Sequence, residues 1–336
     1  MIKPKEIRFE VTRYCNCQCF FCHNKNTFAK EGRQNKKDME TGQVKLIIDK
    51  IAGEGIEQIR FTGGEPLIRP DMPELINYSK SKGLQVRINT NGTLINPKIA
   101  ENLISDVNMI LISMPSLDEK ENDSQTGFPG GFSKKIEAIK LLRGKKKDFL
   151  WVCTVATQKN IKDMDNIASC MYDLGVDYWF CLRQIPTHED KNPYSAGDCV
   201  ELVKKLAAIK DKYPDKYGDG EVLNNPFPFC AVYDKGDAES VCSGAFYGEG
   251  HSTLIIDPDG NILVDYAYGA KMGNVFDDSI MEVWNSGKVR KFREYDLVPA
   301  QCKKCEWLDK CKGGSRIAAY IVSEDISGRD PLMLRG

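Results

Sequence analysis

Short β-rich runs alternate with amphipathic helical runs from residue 6 to about residue 183. In the helical runs apolar residues recur at helical spacing, as at Val44, Ile47, Ile48 and Ile51. Six strand-helix units in series predict an α/β fold with a parallel sheet and right-handed crossovers. Curled on itself, such a sheet is an open or closed barrel whose chemistry lies at the carboxyl ends of its strands. The predicted strands are Glu6–Thr12, Gln58–Thr62, Leu84–Thr90, Val107–Ser113, Leu150–Thr157 and Asp177–Arg183.

The pattern changes after about residue 215. Residues 213–228 are rich in Asp, Gly, Asn and Pro, which is typical of a linker. Thr253–Tyr266 then predicts a β-hairpin around an Asp-Gly turn, and a short helix follows near Ser279–Ser286. We therefore expect a barrel over residues 1–215, a linker over residues 216–229 and a small α+β domain over residues 230–336.

Charge and hydrophobicity narrow the class of protein. The 336 residues carry 47 basic and 48 acidic side chains, so no global field attracts nucleic acid or anionic lipid. Eighteen uncharged apolar residues never run together, and the start of the chain has no apolar core of signal-peptide length. We therefore expect a cytoplasmic protein that binds neither membranes nor nucleic acid.

Thirteen cysteines are a high and odd number for a reducing compartment, which favours metal ligation or redox chemistry over disulfide bonding. Cys15, Cys19 and Cys22 follow the first predicted strand at Cys-x3-Cys-x2-Cys spacing. A loop this compact can hold three irons of a 4Fe-4S cube and leave the fourth iron open. A structural zinc site is the alternative, but zinc takes four closed ligands, usually in paired Cys-x2-Cys arrangements.

With Phe21 as the aromatic residue before the last cysteine, this loop resembles the motif of the radical S-adenosylmethionine (SAM) superfamily. The resemblance implies that the methionine part of SAM chelates the open iron. One electron then cleaves SAM to methionine and a 5'-deoxyadenosyl radical, which abstracts hydrogen from the substrate. The same resemblance implies an electron donor of the flavodoxin or ferredoxin type. Cys17 lies off the register of the motif and is interpreted as a non-ligand thiol.

The second predicted strand is followed by Gly63, Gly64 and Glu65. Glycine lets a backbone approach a ligand closely, and a carboxylate at a strand end can accept charge-assisted hydrogen bonds from an ammonium group. The superfamily carries a similar Gly-Gly-Glu motif at this position. The resemblance implies that these residues hold the amino group of SAM.

Polar residues also mark the ends of the third, fourth and sixth predicted strands. Thr90, Asn91 and Ser113 could be simple turn-forming residues. The resemblance implies instead that they contact the ribose and carboxylate of SAM. Arg183 could pair with the cofactor carboxylate, pair with an acidic substrate or lie in solvent at the barrel mouth.

A second group of cysteines lies near the carboxyl end of the chain. Cys302, Cys305 and Cys311 have the x2 and x5 spacing of iron-sulfur ligands, and a fourth ligand must come from elsewhere. With the hairpin before them and the Gly-Gly after them, they resemble the SPASM and twitch extensions of the same superfamily. The expected fold is therefore a partial (β/α)6 TIM-like barrel with a small SPASM-like or twitch-like domain.

This region departs from a full SPASM domain. Asp265 and Ser315 stand where cysteines occur, and the last cysteine is replaced by Leu332 or Met333. Asp265 could ligate iron through oxygen or be solvated. Too few thiols remain for two further clusters, so we predict one auxiliary 4Fe-4S cluster. Its predicted ligands are Cys302, Cys305, Cys311 and Cys242, with Cys230 as the alternative fourth ligand.

Four further cysteines, Cys153, Cys170, Cys181 and Cys199, fall in strand or helix patterns and are predicted to be apolar core residues. A spare thiol near the radical could also donate a hydrogen atom, as in radical epimerases. The candidates for that role are Cys153, Cys181 and Cys230.

The predicted function is radical SAM chemistry in the maturation of a ribosomal peptide or protein, by oxidation, crosslinking or epimerisation. The same chemistry on a small metabolite, such as a sugar, nucleotide, cofactor or antibiotic precursor, is the alternative. An iron-sulfur electron carrier or redox sensor is a second alternative, which cleavage of SAM on reduction would exclude. The first predicted strand begins near residue 6, so we expect no N-terminal peptide-recognition domain in this chain.

Overall fold

The computed structural model describes residues 3–22, 24, 37–187, 189–191, 193–218, 220–242 and 250–333. The strands in these residues are β1 (Glu6–Thr12), β2 (Gln58–Gly63), β3 (Gln85–Thr90), β4 (Met109–Ser113), β5 (Leu150–Ala156), β6 (Tyr178–Arg183), β7 (Thr253–Ile256), β8 (Asn261–Leu263) and β9 (Gly273–Asn274). They form one sheet in the order β6-β5-β4-β3-β2-β1-β7-β8-β9. Strands β1 to β6 pair in parallel, each with its neighbour in the chain. The second neighbour of β1 is the parallel strand β7 and not β6, so the barrel is open, and the expected partial barrel is confirmed.

Helices connect the barrel strands and also make up much of the carboxyl-terminal part. Within the described residues none of them is long and apolar enough to cross a membrane. Short 3-10 helices cover Pro66–Ile68, Ile161–Asp163, Phe229–Ala231 and Ala300–Lys304. The α-helices are α1 (Thr41–Gly53), α2 (Met72–Ser81), α3 (Pro97–Asp106), α4 (Glu119–Thr126), α5 (Gly131–Leu142), α6 (Met164–Asp173), α7 (Ala196–Lys212), α8 (Pro214–Tyr217), α9 (Lys235–Val241), α10 (Ile280–Asn285), α11 (Gly287–Arg293), α12 (Leu308–Cys311) and α13 (Arg316–Ser323).

The barrel strands have an apolar outer face and a partly polar inner face. On β1, Ile7, Phe9 and Val11 are at most 1% exposed and belong to the hydrophobic core. Glu6 and Arg8 alternate with them and line the cavity inside the barrel. Because side chains alternate across a strand, the charged positions within β1 belong to the lumen.

Side-chain caps mark the starts of several helices. Asn96 Oδ1 accepts a hydrogen bond from Ile99 N at 3.0 Å, and Pro97 is the first residue of α3. Ser195 and Asp198 form a capping box at the start of α7. Local signals therefore set where these helices begin, while burial of their apolar faces stabilises them.

The predicted linker packs along the outer edge of β6. Cys181 N donates to Val222 O at 2.7 Å, and Asn224 N donates to Cys181 O at 2.9 Å. The Asn225 side-chain amide accepts from Arg183 N and donates to Arg183 O. Residues 222–225 thus continue the sheet instead of forming a free tether, and the proposed domain boundary stays a prediction.

The carboxyl-terminal part also contacts the barrel through α1. Glu54, directly after α1, accepts hydrogen bonds from Ser279 Oγ and from Ile280 N and Met281 N at the start of α10. A carboxylate is stabilised there by the partial positive charge of a helix N-terminus. Lys50 Nζ donates to Val275 O at 2.7 Å. These contacts add to the β1–β7 pairing and hold both parts against each other.

Candidate active site

The loop with the first three cysteines begins directly after β1 and is fixed by backbone hydrogen bonds. Gln18 N donates to Thr126 O at 2.7 Å, and Phe20 N donates to Gln125 O at 3.1 Å, so the loop lies along the end of α4. Cys15, Cys19 and Cys22 are all half-buried on it. The loop is therefore held at the carboxyl ends of the strands with its thiols still accessible.

Gly63 and Gly64 let the end of β2 press against this loop. Gly64 N donates to Thr12 O at 2.8 Å, and Glu65 N donates to Tyr14 O at 2.7 Å. A Cβ on Gly64 would lie 2.0 Å from Tyr14 O, and Gly63 has a φ of +128°, which side chains rarely adopt. The sequence analysis expects these glycines to approach a bound ligand. In the structure the space that their missing side chains leave is taken by the backbone of Thr12 and Tyr14.

Glu65 joins the ends of β2 and β3. It is 0% exposed, and its carboxylate accepts hydrogen bonds from Leu67 N at 3.1 Å, Thr90 Oγ1 at 2.8 Å and Asn91 N at 2.7 Å. Burial raises the pKa of Glu65 to about 7 despite these three donors. Glu65 thus bonds the ends of β2 and β3 within the chain, and its expected contact with the SAM ammonium group stays a prediction. The Thr90 hydroxyl donates its hydrogen bond to Glu65.

Asn91 connects β3 to the cysteine loop. Its Nδ2 donates to Cys15 Sγ at 3.9 Å and to Asn16 Oδ1 at 2.8 Å, while its Oδ1 accepts from Thr93 N and Thr93 Oγ1. An amide donor at a thiolate sulfur favours the charged form that metal ligation needs. Ser113 is half-buried at the end of β4, on the same face as the cavity-lining Leu111. Both therefore lie at the strand ends where the sequence analysis expects cofactor contacts.

Cys17 lies among the other thiols of the loop. Hydrogen bonds to Cys15 and Cys19, followed by burial, raise the pKa of Cys17. Among the described residues, no three His, Cys, Asp or Glu side chains form a compact single-ion metal site. Three half-buried cysteines on one compact loop suit a 4Fe-4S cube with one open iron, whereas structural zinc takes four closed ligands. The donor set thus fits an iron-sulfur cluster better than a closed zinc site.

Lys135 is a charged residue beside this loop that the sequence analysis misses. It is 0% exposed on α5, and its Nζ donates to Asn122 Oδ1 at 3.4 Å. Burial lowers the pKa of Lys135, and the thiols of Cys19 and Cys17 oppose that change. A signal was present, because Lys135 falls on the apolar stripe of α5 with Ala138, Ile139 and Leu142, where an unpaired lysine is costly.

A cavity of about 660 Å³ occupies the barrel lumen below the strand ends. Phe21 of the cysteine loop lines it at the top. Arginines of β1, β2 and β3 line one side, and three aromatic residues of β5 and β6 line the other. The aromatic residues contact one another, with ring centroids 4.8 Å apart for Trp151–Tyr178 and 6.2 Å for Trp151–Phe180. This lining is not among the residues predicted from the sequence, although charged residues occur at alternate positions inside the strands.

Arg183 lies at the cavity and is also paired within the chain, so its predicted contact with the cofactor or an acidic substrate stays a prediction. Its Nη1 and Nη2 donate to Asp330 Oδ1 at 3.1 Å and Oδ2 at 2.6 Å, and the two side chains are 1% and 0% exposed. Asp330 also accepts from Ser315 N at 2.7 Å. Gly314 is required at this turn, since its φ is +69° and a Cβ would lie 2.7 Å from Asp330 Oδ2. Arg183 therefore ties β6 to the carboxyl-terminal region.

The carboxyl-terminal cysteines are brought near Cys230. Phe229 N donates to Cys311 Sγ at 3.3 Å, and the rings of Phe229 and Trp307 are 5.8 Å apart, in an edge-to-face arrangement. Cys230 is the next residue along the chain. Burial and the adjacent thiols of Cys311 and Cys302 raise the pKa of Cys230 to about 11. The geometry thus groups Cys230 with Cys302 and Cys311.

Cys242, the expected fourth ligand, has different surroundings. It is 1% exposed at the end of α9, and its Sγ donates to Asn225 O at 3.6 Å. Asp265 also lies elsewhere, because it lines the barrel cavity and its charge acts on Arg8. Burial raises the pKa of Asp265 to about 6. The structure therefore favours Cys230, the alternative, over both residues.

The thiols considered as hydrogen donors differ in orientation. Cys153 lies on the inner face of β5 between the cavity-lining Trp151 and Val155, and burial raises the pKa of Cys153 to about 12. Cys181 is 0% exposed on the outer face of β6, since its neighbours Phe180 and Leu182 line the cavity. This placement favours Cys153 over Cys181 as a hydrogen donor, because Cys181 lies on the face away from the lumen, and the donor role stays a prediction.

Two family models match the chain. The model of the Radical SAM superfamily matches residues 9–170, and the model of the iron-sulfur cluster-binding domain SPASM matches residues 248–306. The AdoMet-dependent heme synthase of Methanosarcina barkeri is 24% identical, over 98% of this chain and 95% of the relative. The mycofactocin maturase MftC of Mycobacterium ulcerans is 27% identical, over 99% of this chain and 88% of the relative.

Solved structures with the same fold were also found. Streptococcus suis SuiB bound to S-adenosylmethionine aligns with a TM-score of 0.75 and 18% identity, over 99% of this chain and 77% of that one. The anSMEcpe protein with bound AdoMet aligns with a TM-score of 0.76 and 19% identity, over 98% of this chain and 94% of that one. At these identities the likeness shows a shared fold.

Proposed function

Because the chain belongs to the radical SAM superfamily, we propose that it matures a ribosomal peptide or protein by oxidation, crosslinking or epimerisation. The chain is an enzyme, and its cofactors are a 4Fe-4S cluster with SAM and the iron-sulfur cluster of its SPASM domain. When bound, the reduced cluster and SAM supply a 5'-deoxyadenosyl radical that removes hydrogen from the substrate. The residues of this chain hold the cofactors and position the substrate.

One observation carries the site assignment. The cysteine loop, the Gly-Gly turn after β2 and Asn91 after β3 converge above a cavity of about 660 Å³. We therefore assign Cys15, Cys19 and Cys22 as the ligands of the reducing cluster. Asn91 orients Cys15 through its amide, and Glu65 holds Asn91 in place through the bond to Asn91 N.

The auxiliary cluster is assigned to the carboxyl-terminal cysteines. Cys302 and Cys305 lie at the 3-10 helix Ala300–Lys304, and Cys311 ends α12. Cys230 completes a set of four thiolates, supported by the hydrogen bond that places Phe229 against Cys311. Four thiolates are the usual ligand set of a 4Fe-4S cube.

The peptide substrate is supported by the maturase among the relatives, which aligns with nearly the whole chain. Two solved structures of the same fold contain bound peptides, SuiB with the precursor peptide SuiA and anSMEcpe with the Cp18Cys peptide. A small metabolite is the second candidate, favoured by the heme synthase, which aligns over as much of the chain. Both candidates use the same site.

The electron that the reaction needs comes from a separate protein in this proposal. A flavodoxin or ferredoxin is the donor class that matches a single-electron reduction of an iron-sulfur cluster. In this proposal the barrel of residues 1–215 holds SAM, and the domain of residues 230–336 holds the auxiliary cluster. Residues 216–229 connect them, and the protein acts in the cytoplasm.

Fractionated extract of the source cells tests the substrate class. The reconstituted enzyme, SAM and a chemical reductant are incubated anaerobically with a peptide fraction or a low-mass fraction, and 5'-deoxyadenosine and product masses are measured. We expect stimulated SAM cleavage and a mass change in the peptide fraction. Turnover confined to the low-mass fraction would contradict the peptide proposal and support a metabolite.

A further inference from the structure

Three arginines lie side by side on the inner wall of the barrel. Arg8 on β1 is the register partner of Arg60 on β2, and Arg60 is the register partner of Arg87 on β3. All three line the lumen cavity. Like charges on adjacent strands repel each other, and the low dielectric of a partly buried site strengthens the repulsion. We call Arg8, Arg60 and Arg87 the arginine rung.

The carboxylate nearest to the rung is Glu6, which is 4% exposed. Its Oε1 accepts from Arg60 Nε at 2.9 Å and from Arg8 Nε at 3.3 Å, and its Oε2 accepts from Arg87 Nη1 at 3.3 Å. The negative charge of Asp265, in the carboxyl-terminal part of the chain, also stabilises the charged form of Arg8. Glu10 lies two residues further along β1 and accepts from Asn24 Nδ2 at 3.1 Å.

Arg87 is the member of the rung with the weakest compensation. Arg60 has short bonds to Glu6 and to Asn89 Oδ1 at 3.0 Å. Arg87 has the long bond to Glu6 alone within the part of the chain that the structure describes. Its side chain is 28% exposed, compared with 26% for Arg8 and 10% for Arg60, so bonding and not exposure distinguishes Arg87 from Arg8. Burial lowers the pKa of Arg87, and the charges of Arg60 and Arg8 lower it further.

The opposite wall of the cavity is aromatic. Trp151, Tyr178 and Phe180 stand across the lumen from the rung. An anionic group at Arg87 would therefore be joined to a body that can pack on aromatic rings. The planar guanidinium matches a carboxylate in a two-point hydrogen bond.

We propose that the arginine rung, with Arg87 as the member held by the single long bond to Glu6, binds a carboxylate of the substrate whose apolar body packs on Trp151, Tyr178 and Phe180. This inference rests on the proposed function, since it describes the substrate of the same site. Arg8 precedes Thr12 at the end of β1 by four residues, or about 13 Å of strand. A carboxylate held at the rung leaves the remainder of the substrate between it and the cofactor site.

The carboxylate has two sources in a peptide, the chain terminus or an acidic side chain. Three probes separate them: N-acetyl-Ala-Phe with a free carboxylate, the same dipeptide as its amide, and N-acetyl-Glu-Phe amide. Binding to the reconstituted full chain is measured by ligand-detected NMR under anaerobic conditions. We expect at least one acidic probe to bind about tenfold or more tightly than the neutral amide. The acidic probe that binds more tightly identifies the source.

Arg87→Gln should reduce the preference for the acidic probe to about twofold or less. Arg290→Gln, an exposed arginine on α11, is the matched control and should keep it. If circular dichroism shows that Arg87→Gln does not fold, Arg87→Lys replaces it and should reduce the preference partially, because lysine lacks the guanidinium fork. Equal binding of acid and amide to the wild type, or a full preference in the Arg87 variant, would overturn the inference.

SAM cleavage is measured in the same wild-type samples. A protein that cleaves SAM but does not distinguish acid from amide contradicts only the role of the arginine rung. A protein that binds the acidic probe preferentially but never cleaves SAM contradicts the proposed function and still supports the binding site.

Discussion

The two cysteine groups of this chain are supported in different ways. Backbone hydrogen bonds that do not involve a thiol hold the loop of Cys15, Cys19 and Cys22 against the strand ends and α4. The group of Cys302, Cys305 and Cys311 lies on a 3-10 helix of five residues and on α12 of four residues. Helices this short are not stable alone in water.

The difference teaches which site depends on its metal. A loop fixed by the sheet can keep its shape before iron binds, so the first cluster adds chemistry to an existing scaffold. Short elements without a large core of their own gain stability when a cluster joins them. At the second group Phe229 N already bonds Cys311 Sγ from a distant part of the chain, and a cluster held by Cys230 and Cys311 would join these two parts.

The largest effect is expected at the first group. Replacing Cys15, Cys19 and Cys22 together with Ala should reduce 5'-deoxyadenosine formation to the level without enzyme, because the open iron is lost. The thermal unfolding midpoint should change little, since backbone bonds hold the loop. About four irons per chain should remain in the second site if it holds a cubane. Chromatography, iron analysis and Mössbauer spectra measure these outcomes.

Cys170→Ala is the control for this experiment. Cys170 is half-buried on α6 and belongs to neither cysteine group. It should retain product formation and all iron. A triple variant that forms product at the wild-type rate would remove the three cysteines from the active site.

The next effect concerns the fourth ligand of the second group. In the triple variant, Cys230→Ala should lose most of the remaining iron, whereas Cys242→Ala should keep it, because Cys230 lies beside Cys311 and the Cys242 thiol donates to Asn225 O. Iron content and the visible absorption of the cluster distinguish the two. The opposite result, with iron lost from Cys242→Ala alone, would restore the ligand that the sequence favoured.

The ion pair of Arg183 and Asp330 joins β6 to the carboxyl-terminal region and should stabilise the chain with or without metal. Asp330→Asn leaves the Arg183 guanidinium buried without its counter-charge, which should lower the free energy of unfolding by about 3–5 kcal/mol. Denaturant unfolding of the metal-free chain measures this, with Asp309→Asn on α12 as a surface control. A loss below about 1 kcal/mol would mean that the pair does not secure the carboxyl-terminal region.

The sheet itself was predictable from local pattern. β1 has the predicted bounds, and each of β2 to β6 matches its prediction at one end and differs by one or two residues at the other. Alternation and β-branched residues decide these bounds locally. Residues 107–108 fall outside β4 because Val107 N still bonds Leu103 O at the end of α3.

Residue roles that depend on distant partners were not predictable. Arg183 lies 147 residues from Asp330, and no local feature of its strand announces that pair. Cys230 and Cys242 both precede the hairpin, so spacing alone could not choose between them. Charged residues inside strands, such as Arg60 and Arg87, carried a usable signal, because their register would have placed them on the lumen face.

The smallest effect concerns Glu65, whose hydrogen bonds join the ends of β2 and β3 beside the first cysteine group. Glu65 has a pKa of about 7 in the folded chain, against an ordinary value of 4.5. The folded state therefore binds the proton more tightly, and the stabilisation is full below about pH 4.5 and is lost as the pH rises through about 7. Over that range the free energy of unfolding should fall by on the order of 3 kcal/mol.

Glu65→Gln should remove this pH dependence, because glutamine has the shape of the protonated acid and cannot ionise. Its amide nitrogen, in the place of Oε1, can donate to Thr90 Oγ1 while its oxygen, in the place of Oε2, accepts from Asn91 N. Urea unfolding at pH 5 and pH 8 measures the difference, with Glu294→Gln as the exposed control. If wild type and Glu65→Gln lose the same stability between these pH values, the carboxylate is ionised throughout. The ends of β2 and β3 would then be joined by a charged group, and the folded chain would be less stable at acidic pH than at neutral pH.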